Sequence, residues 1–596
     1  MDRDRHRLKK LSDEISTKRL SLAWKNTVRH GLRNQALSDL YDYMDIHRNV
    51  EDVCERIKSQ IMSETFTVDS YEVVSKEKSK GICRKIVIPS AEDAIVMQCL
   101  VDRLESDILD KEPTKSAYYS RSHTPPKSFR DIDENFPYEW LKVWKEYQKE
   151  LWQYGDDFEY VVMTDIAKYY DTIPLKKLKS RVTNIGELSE EVIDMLFYIL
   201  KEYVWQPEYT SYHGVGLPQL NFDAPRLLAH CFLYDIDDYI KEKKGESFSR
   251  WMDDINLGAR SISEAKNITK NIDIRLGGKG LSLNSYKTKI LDFEDASREL
   301  RVDENRYINI AVNKKENNLP GKEEKWIEFL KDKFESFYNG SREGRWTQIL
   351  KRFFTTFAKY DSQFLEKYVP KIVRNVPDAR SHVAKYYRKI GYSTKRYSQI
   401  VDFLKCDYCI DDVSIFEFLK LISEWDIPIN SPYRSEAVEV PNDIFDKLKV
   451  RSVALVAGGI RVVGKYGTHQ ERWDFIQKSR FTWRSSQWAS RQVAALTPRL
   501  NEKPKDSLLS QFRSEGLLEG LRVMSHIRNL RERTSVDSQL NSYLTYTSKP
   551  FPFSKVLIAV VLLSSTNLPT KQTQNLREDI LETVDDSMYQ NIIRNT

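Results

Sequence analysis

Residues 250–258 read R-W-M-D-D-I-N-L-G, and Asp253 and Asp254 stand side by side between apolar residues. On a regular strand neighbouring side chains point to opposite faces, so one of the two acids would be forced inward. A tight hairpin turn removes the conflict, because both carboxylates can then leave the sheet on one side. Adjacent like charges repel unless something positive lies between them. A divalent cation held by oxygen ligands meets that need, and the rest of the chain must then supply more ligands.

A second acidic stretch lies upstream, V-V-M-T-D-I-A-K-Y-Y-D-T-I-P at residues 161–174. Asp165 ends its apolar run. A carboxylate at a strand end, beside a carboxylate hairpin on the next strand, can hold two Mg²⁺ ions about 3.5–4 Å apart on the attacking and leaving oxygens of nucleotidyl transfer. Magnesium takes oxygen ligands and shares its shell with substrate phosphates, and phosphoryl transfer needs little beyond alignment and charge neutralisation. Asp171 is assigned otherwise, to capping the helix that follows.

Three further segments fit such a site. H-G-V-G-L-P-Q-L-N-F-D-A-P-R-L-L-A, residues 213–229, is a glycine turn running into a helix. G-L-S-L-N-S-Y-K-T-K-I, residues 280–290, follows the acidic hairpin and offers Lys287. K-S-K-G-I-C-R-K-I-V-I-P, residues 78–89, places Lys80, Arg84 and Lys85 on a basic hairpin. The arginine fork can grip a triphosphate or lie flat on a base.

The whole chain has 596 residues, 31% of them charged, and a formal net charge of +6, enough length for two or more cored domains and a balance that permits a polyanionic partner. The longest clean apolar run, Val556 to Leu563, is far short of the roughly 20 residues a membrane span needs and reads as a buried helix. No apolar stretch follows M-D-R-D-R-H-R-L-K-K, so no signal peptide and a cytoplasmic location are expected. Six cysteines in so long a chain make no disulfide framework, and the Cys406–Cys409 C-x-x-C lacks a second pair at zinc spacing.

Strand-like runs at Tyr160–Met163, Phe248–Met252 and Lys289–Phe293, with helical patterns between them, predict an α/β region from about 155 to 300. Beyond about 305 the pattern is helical. Trp326, Phe329, Leu330, Phe334 and Phe337 mark one apolar face, and Trp346, Ile349, Leu350, Phe353 and Phe357 the next. Helix pairs of this kind predict an α-repeat stack without a repeating consensus. The division is therefore 1–300 and 301–596, with polar loops around 112–136 and 315–323.

Taken in order, these stretches resemble reverse transcriptases. T-D-I-A-K-Y-Y-D is similar to motif A, G-L-P-Q to motif B, W-M-D-D to motif C and G-L-S-L-N-S-Y-K-T to motif D, while K-G-I-C-R-K-I-V-I-P resembles the fingers motif. The resemblance implies an α/β palm and fingers of a right-hand polymerase over 1–300, joined to an all-α helical-repeat domain over 301–596. It implies Asp165, Asp253 and Asp254 as catalytic acids, with Ile166 beside them among the ligands of two Mg²⁺ ions, or of Mn²⁺ in their place. Tyr170 would be a steric gate that crowds a ribose 2′-OH, so dNTPs are the expected substrates. Arg84, Lys80 and Gln219 would bind substrate, and Lys287 would neutralise or protonate the leaving pyrophosphate.

The departures narrow the reading. Trp251 stands where tyrosine is usual, and Leu220 stands where motif B usually ends in glycine. A leucine there would crowd a template track that glycine leaves open. D-A-P-R at 223–226 is similar to the D-A-S-R run of bacterial defence enzymes, and the long helical C-terminal half resembles the abortive-infection, AbiK-like group. That likeness implies anti-phage defence, a homo-oligomer, no membrane, and template-free synthesis of single-stranded DNA attached through a tyrosine, for which Tyr41 and Tyr43 are candidates. Two rivals stand beside it: an RNA-templated reverse transcriptase with a dedicated RNA partner, and a non-catalytic phage-sensing scaffold. Residues 472–491, R-W-D-F-I-Q-K-S-R-F-T-W-R-S-S-Q-W-A-S-R, could stack bases and neutralise phosphates along a single strand, or form a buried helix with a basic outer face.

Overall fold

The computed structural model describes residues 9–119, 140–205, 214–245, 247–316, 323–447 and 452–596. His213, most of the polar loop read at 112–136 and residues 317–322 of the second polar loop lie outside the described residues. The chain forms two compact units. The first comprises Met1–Gln35, Ile46–Tyr71 and Ile86–Asp303, and the second Ala36–Asp45, Glu72–Lys85 and Glu304–Thr596.

The first unit is built around a five-stranded sheet. Numbering strands along the chain, β1 is Glu72–Ser79, β2 Ile82–Ile88, β3 Ala117–Tyr118, β4 Tyr160–Asp165, β5 Phe248–Trp251, β6 Asp254–Ala259 and β7 Lys289–Asp292. The sheet runs β3-β5-β6-β4-β7. Strand β3 is parallel to β5, and the remaining pairs are antiparallel. The V-V-M-T run suits the central strand β4, since β-branched and apolar side chains pack where both faces are covered. Val161 and Met163 face Tyr147 and Leu151 of the helix Trp140–Asp157, with Ala296 and Leu300 beside them. The helix Ile262–Lys279, which buries Ala265, Ile268, Ile272 and Leu276, packs on β4 and β6. Ser261 caps its start and Gly280, at φ +84°, ends it.

The strands read from the sequence are present, each shifted at its end. Strand β4 continues to Asp165, while Met252 leaves β5 for the turn and Phe293 opens a helix instead of closing β7.

Among its described residues the second unit is helical apart from β1 and the first part of β2. Leu330, Phe334 and Phe337 are buried with Trp346, Ile349, Leu350, Phe353 and Phe357, so the two apolar faces read from the sequence meet in one core, with Trp326 packed at its margin. The helix Phe553–Leu563, which contains the long apolar run, is buried over its whole length. No described helix is long and apolar enough to cross a membrane.

Buried charges tie the early segments of the chain to this unit. Strand β1 is held by three side-chain links. Ser486 donates to Glu72 at 2.5 Å, Ser75 donates from its amide and hydroxyl to Asp412 at 2.8 and 2.7 Å, and Arg380 donates to Glu77 at 2.8 Å. The second Glu77 oxygen accepts the Gly81 amide at 2.9 Å, which fixes the hairpin turn. Lys80 and Gly81, at φ +53° and +80°, form the two-residue loop whose backbone demands positive φ at both positions. Arg491 forks onto Asp45 at 2.9 and 2.7 Å and reaches Asp39 at 3.2 Å and Glu519 at 2.6 Å.

Removing one member of such a buried set leaves uncompensated charge and costs about 3–5 kcal/mol. Arg491→Met is therefore expected to lower the melting temperature of the full chain by several degrees, read by calorimetry, with a smaller loss for the exposed Arg528→Met.

Candidate active site

The antiparallel register of β4 and β6 sets Asp165 directly opposite Asp254. Cross-strand partners share a face of the sheet, so the two carboxylates emerge together. Trp251 pairs with Asp254 across the β5–β6 hairpin, which leaves Met252 and Asp253 as its two-residue loop. The Ile166 amide donates to the Asp253 carbonyl at 3.2 Å, so the chain leaving β4 runs beside that turn. The three acids expected to converge therefore share one end of the sheet, with Ile166, itself buried, next to them.

Their electrostatics follow from this crowding. Burial, then the Asp254 and Asp165 charges, push the Asp253 carboxyl up to about 7, and it shares a hydrogen bond with Asp165. Like charges this close call for a proton or a cation among them. The donor set, three carboxylates with the Ile166 backbone beside the Asp253 turn, has the hard oxygen chemistry that Mg²⁺ or Mn²⁺ prefers. Among the described residues no three His, Cys, Asp or Glu side chains form a closed ion-binding cluster. Positive charge at the acids comes from Lys287, whose ammonium bonds Asp165 Oδ2 at 2.7 Å. Burial opposes that charge, but the hydrogen bond and the fields of Asp165, Asp254 and Asp253 outweigh it and raise the Lys287 pKa.

The 280–290 segment wraps the end of β4. Asn284 donates its amide to the Asp165 carbonyl at 2.7 Å, Ala167 donates to Ser282 at 2.9 Å, and Thr164 and Thr288 hydroxyls bond at 2.7 Å. Lys287 thus sits on a turn built onto the acid strand, with 59% of its side chain exposed.

The glycine turn is joined to the segment that follows this strand, the short helix Tyr169–Thr172 and Ile173. Leu217 donates to the Tyr170 carbonyl at 2.7 Å and Gly216 to Ile173 at 2.8 Å. Gly216 lies at φ +112°, and a Cβ there would come within 3.0 Å of Val204 and 3.8 Å of the Tyr170 carbonyl. Tyr169 is buried with its hydroxyl on the Ala229 carbonyl, while Tyr170 is half-buried and meets the Tyr169 ring edge-on. Gln219 is half-buried.

Several expectations are corrected. Leu220 is 5% exposed, so its side chain is used in packing and does not obstruct an open track. Asp171 lies exposed inside the short helix Tyr169–Thr172, and the helix Leu175–Ile185 starts at Pro174 with no side-chain cap. Lys80, Arg84 and Lys85, by contrast, lie exposed on the basic hairpin expected for them, within the second unit. Tyr41 and Tyr43 are buried in that unit, Tyr41 against His526 at 3.0 Å and Tyr43 under the Arg491 guanidinium. Of the 472–491 stretch, Arg472, Trp483, Trp488 and Arg491 are buried, which removes the stacking platform and favours the packed-helix alternative. Cys406 and Cys409 carry free thiols, and burial pushes the Cys409 thiol up, the opposite of a reactive thiolate.

Sequence reasoning missed Asn284, whose amide and side chain both reach Asp165. It also missed Arg250, buried under the W-M-D-D turn. The only signal for Arg250 was its place in a strand otherwise suited to apolar side chains.

Residues 74–326 match the family model described as reverse transcriptase (RNA-dependent DNA polymerase). This segment contains Asp165, Asp253, Asp254, Lys287 and the turn at Gly216, and its likeness supports polymerase-type nucleotidyl transfer with nucleotide and nucleic-acid substrates. No curated protein matches the chain.

Gly216→Ala places a side chain at a positive φ, at a cost of about 1–3 kcal/mol, and presses on Val204 and on the short helix that carries Tyr170. The variant should melt lower than wild type and lose more nucleotide incorporation than an alanine at Gly214, where a Cβ meets nothing. Equal incorporation in the two variants would dissociate the glycine turn from the acids.

Proposed function

We propose that the chain is a Mg²⁺-dependent DNA polymerase of the reverse-transcriptase type that adds dNTPs from a palm-like sheet. The observation that carries this reading is the pairing of Asp165 with Asp254 across β4 and β6, with Asp253 in the adjoining turn and Lys287 on Asp165. Asp165, Asp253, Asp254 and the Ile166 carbonyl would hold the ions. Two bound Mg²⁺ ions would stabilise the attacking and leaving oxygens of an in-line displacement. Asp165 and Asp254 fix the direction from which a bound triphosphate can be gripped, since their strands are hydrogen-bonded together. Lys287 has an exposed ammonium that can pass from Asp165 to a leaving pyrophosphate and neutralise or protonate it. The half-buried ring of Tyr170 would exclude a ribose 2′-OH, while Gln219 would contact the incoming nucleotide.

The finer reading is a defence enzyme of the AbiK-like group, a cytoplasmic homo-oligomer that makes single-stranded DNA without a template, starting from a tyrosine hydroxyl. It rests on the D-A-P-R run and on the extent of the helical second unit. The burial of Leu220 removes one argument for template-free synthesis, and priming by Tyr41 or Tyr43 would require movement of the segment Ala36–Asp45.

Purified protein given each dNTP and Mg²⁺, with and without nucleic acid, is expected to incorporate nucleotide. Asp253→Asn should lower the rate by at least about 10²-fold. Product that forms without nucleic acid and stays with the protein until proteolysis supports tyrosine priming. Dependence on a primed RNA supports the templated alternative, and no incorporation by wild type sinks the polymerase assignment.

Tyr170→Ala should open the sugar pocket. The expected result is ribonucleotide incorporation rising by about 10–10²-fold relative to deoxynucleotide, within what a lost steric contact supplies. Unchanged sugar discrimination would remove Tyr170 as the gate.

A further inference from the structure

The turn that presents Asp253 has an unfavourable backbone. A two-residue hairpin loop with positive φ at its first position is a place where glycine is preferred. Met252 occupies it at φ +55°. A bulky residue held there costs about 1–3 kcal/mol and persists only where its surroundings over-determine it. Both backbone groups of Met252 are in fact held. Its amide donates to the Tyr118 carbonyl at 3.0 Å, and its carbonyl accepts from Arg250 Nη1 at 2.9 Å.

Arg250 reaches that carbonyl from a site without solvent exposure. Its Nε donates to Asp237 Oδ1 at 2.7 Å and its Nη2 to Asp237 Oδ2, so the planar fork is locked on the helix Tyr234–Lys244. Nη2 also lies 3.5 Å from the His230 carbonyl. His230 is fixed in turn by Glu112 at 3.0 Å and by stacking on Tyr119 at 4.7 Å. A buried ion pair is a poor source of stability, because desolvation of both charges offsets their attraction. What this pair supplies that apolar side chains could not is a rigid donor aimed at one carbonyl, the one immediately before Asp253.

We propose that Arg250 is a positioning residue, strapping the Met252–Asp253 turn through the Met252 carbonyl so that Asp253 meets Asp165 and Asp254. The inference rests on the polymerase reading of these acids. Lysine keeps the charge pair with Asp237 but lacks the planar fork that reaches a second acceptor. Replacing the pair by Asp237→Leu/Arg250→Met keeps the volume and removes the strap, and such replacements are often neutral or stabilising.

The test compares wild type, Arg250→Lys, the Asp237→Leu/Arg250→Met pair, and Arg250→Lys combined with Met252→Gly. Melting temperature, kcat and KM for dNTP, and Mn²⁺ affinity from the EPR signal of the free ion are measured, with Asp253→Asn as the binding control. The expected result is wild-type melting for the double variant, with kcat lower by about 10–100-fold and Mn²⁺ binding weaker by a similar factor. KM should stay within about twofold, because the ground-state nucleotide contacts are intact. Glycine at 252 should restore part of the activity lost in Arg250→Lys, since the turn then no longer needs forcing.

A folded double variant with wild-type kcat and Mn²⁺ affinity would overturn the proposal. So would a change confined to KM, an absence of rescue by glycine, or failure of both Arg250 variants to fold, which would assign the pair to the core. If wild type binds Mn²⁺ through Asp253 yet incorporates no nucleotide, the polymerase reading fails while the Mn²⁺ affinities still judge the strap. A wild type that binds no Mn²⁺ overturns both.

Discussion

Mutual repulsion of three carboxylates is the constraint around which the first unit is organised. Asp165 and Asp254 are brought opposite each other by main-chain hydrogen bonds of β4 and β6, which side-chain repulsion is too weak to break. Asp253 joins them through a loop whose amide, carbonyl and flanking strand are each tethered. The consequence is a carboxyl that burial and its neighbours hold near neutrality in its proton affinity. Backbone geometry thus keeps charge in a place that side chains alone would vacate.

The elements around the acids share that purpose. The 280–290 segment adds the Asn284 and Lys287 contacts to Asp165, and the glycine turn at Gly216 is bonded to the Tyr170 carbonyl. Stretches separated in sequence therefore converge on β4 and on the short helix Tyr169–Thr172 that follows it. A cation donor, an aromatic ring and paired acids, each from a different segment, are thereby tied together by main-chain and side-chain hydrogen bonds.

Much of this was readable from residue order. The apolar run ending at Asp165 and the doublet after Trp251 could be recognised because strand periodicity makes adjacent acids incompatible with a continuous strand. The apolar faces at 326–337 and 346–357 were equally plain, since helical spacing is a local property. Long-range pairings were not. Nothing near Arg250 shows that Asp237 and His230 will face it, because that geometry exists only once helix and strand have docked. Tyr41 and Tyr43 lie in a polar stretch yet are buried, since Asp39 and Asp45 around them are neutralised by Arg491, more than four hundred positions away. Asp171 misled for the opposite reason: a residue type suited to capping stood near a helix start that Pro174 occupies.

The attachment of residues 36–45 and 72–85 to the helical unit bears on any attempt to dissect the chain. A fragment ending at residue 300 would retain Asp39, Asp45 and Glu77 but lose the arginines that neutralise them, and the complementary fragment would bury Arg380 and Arg491 with fewer anions. Each piece would then hold ionised groups that water must reach, so both should open around these spots and clump in solution. The order of segments along this polypeptide and their grouping in the folded protein are therefore different maps.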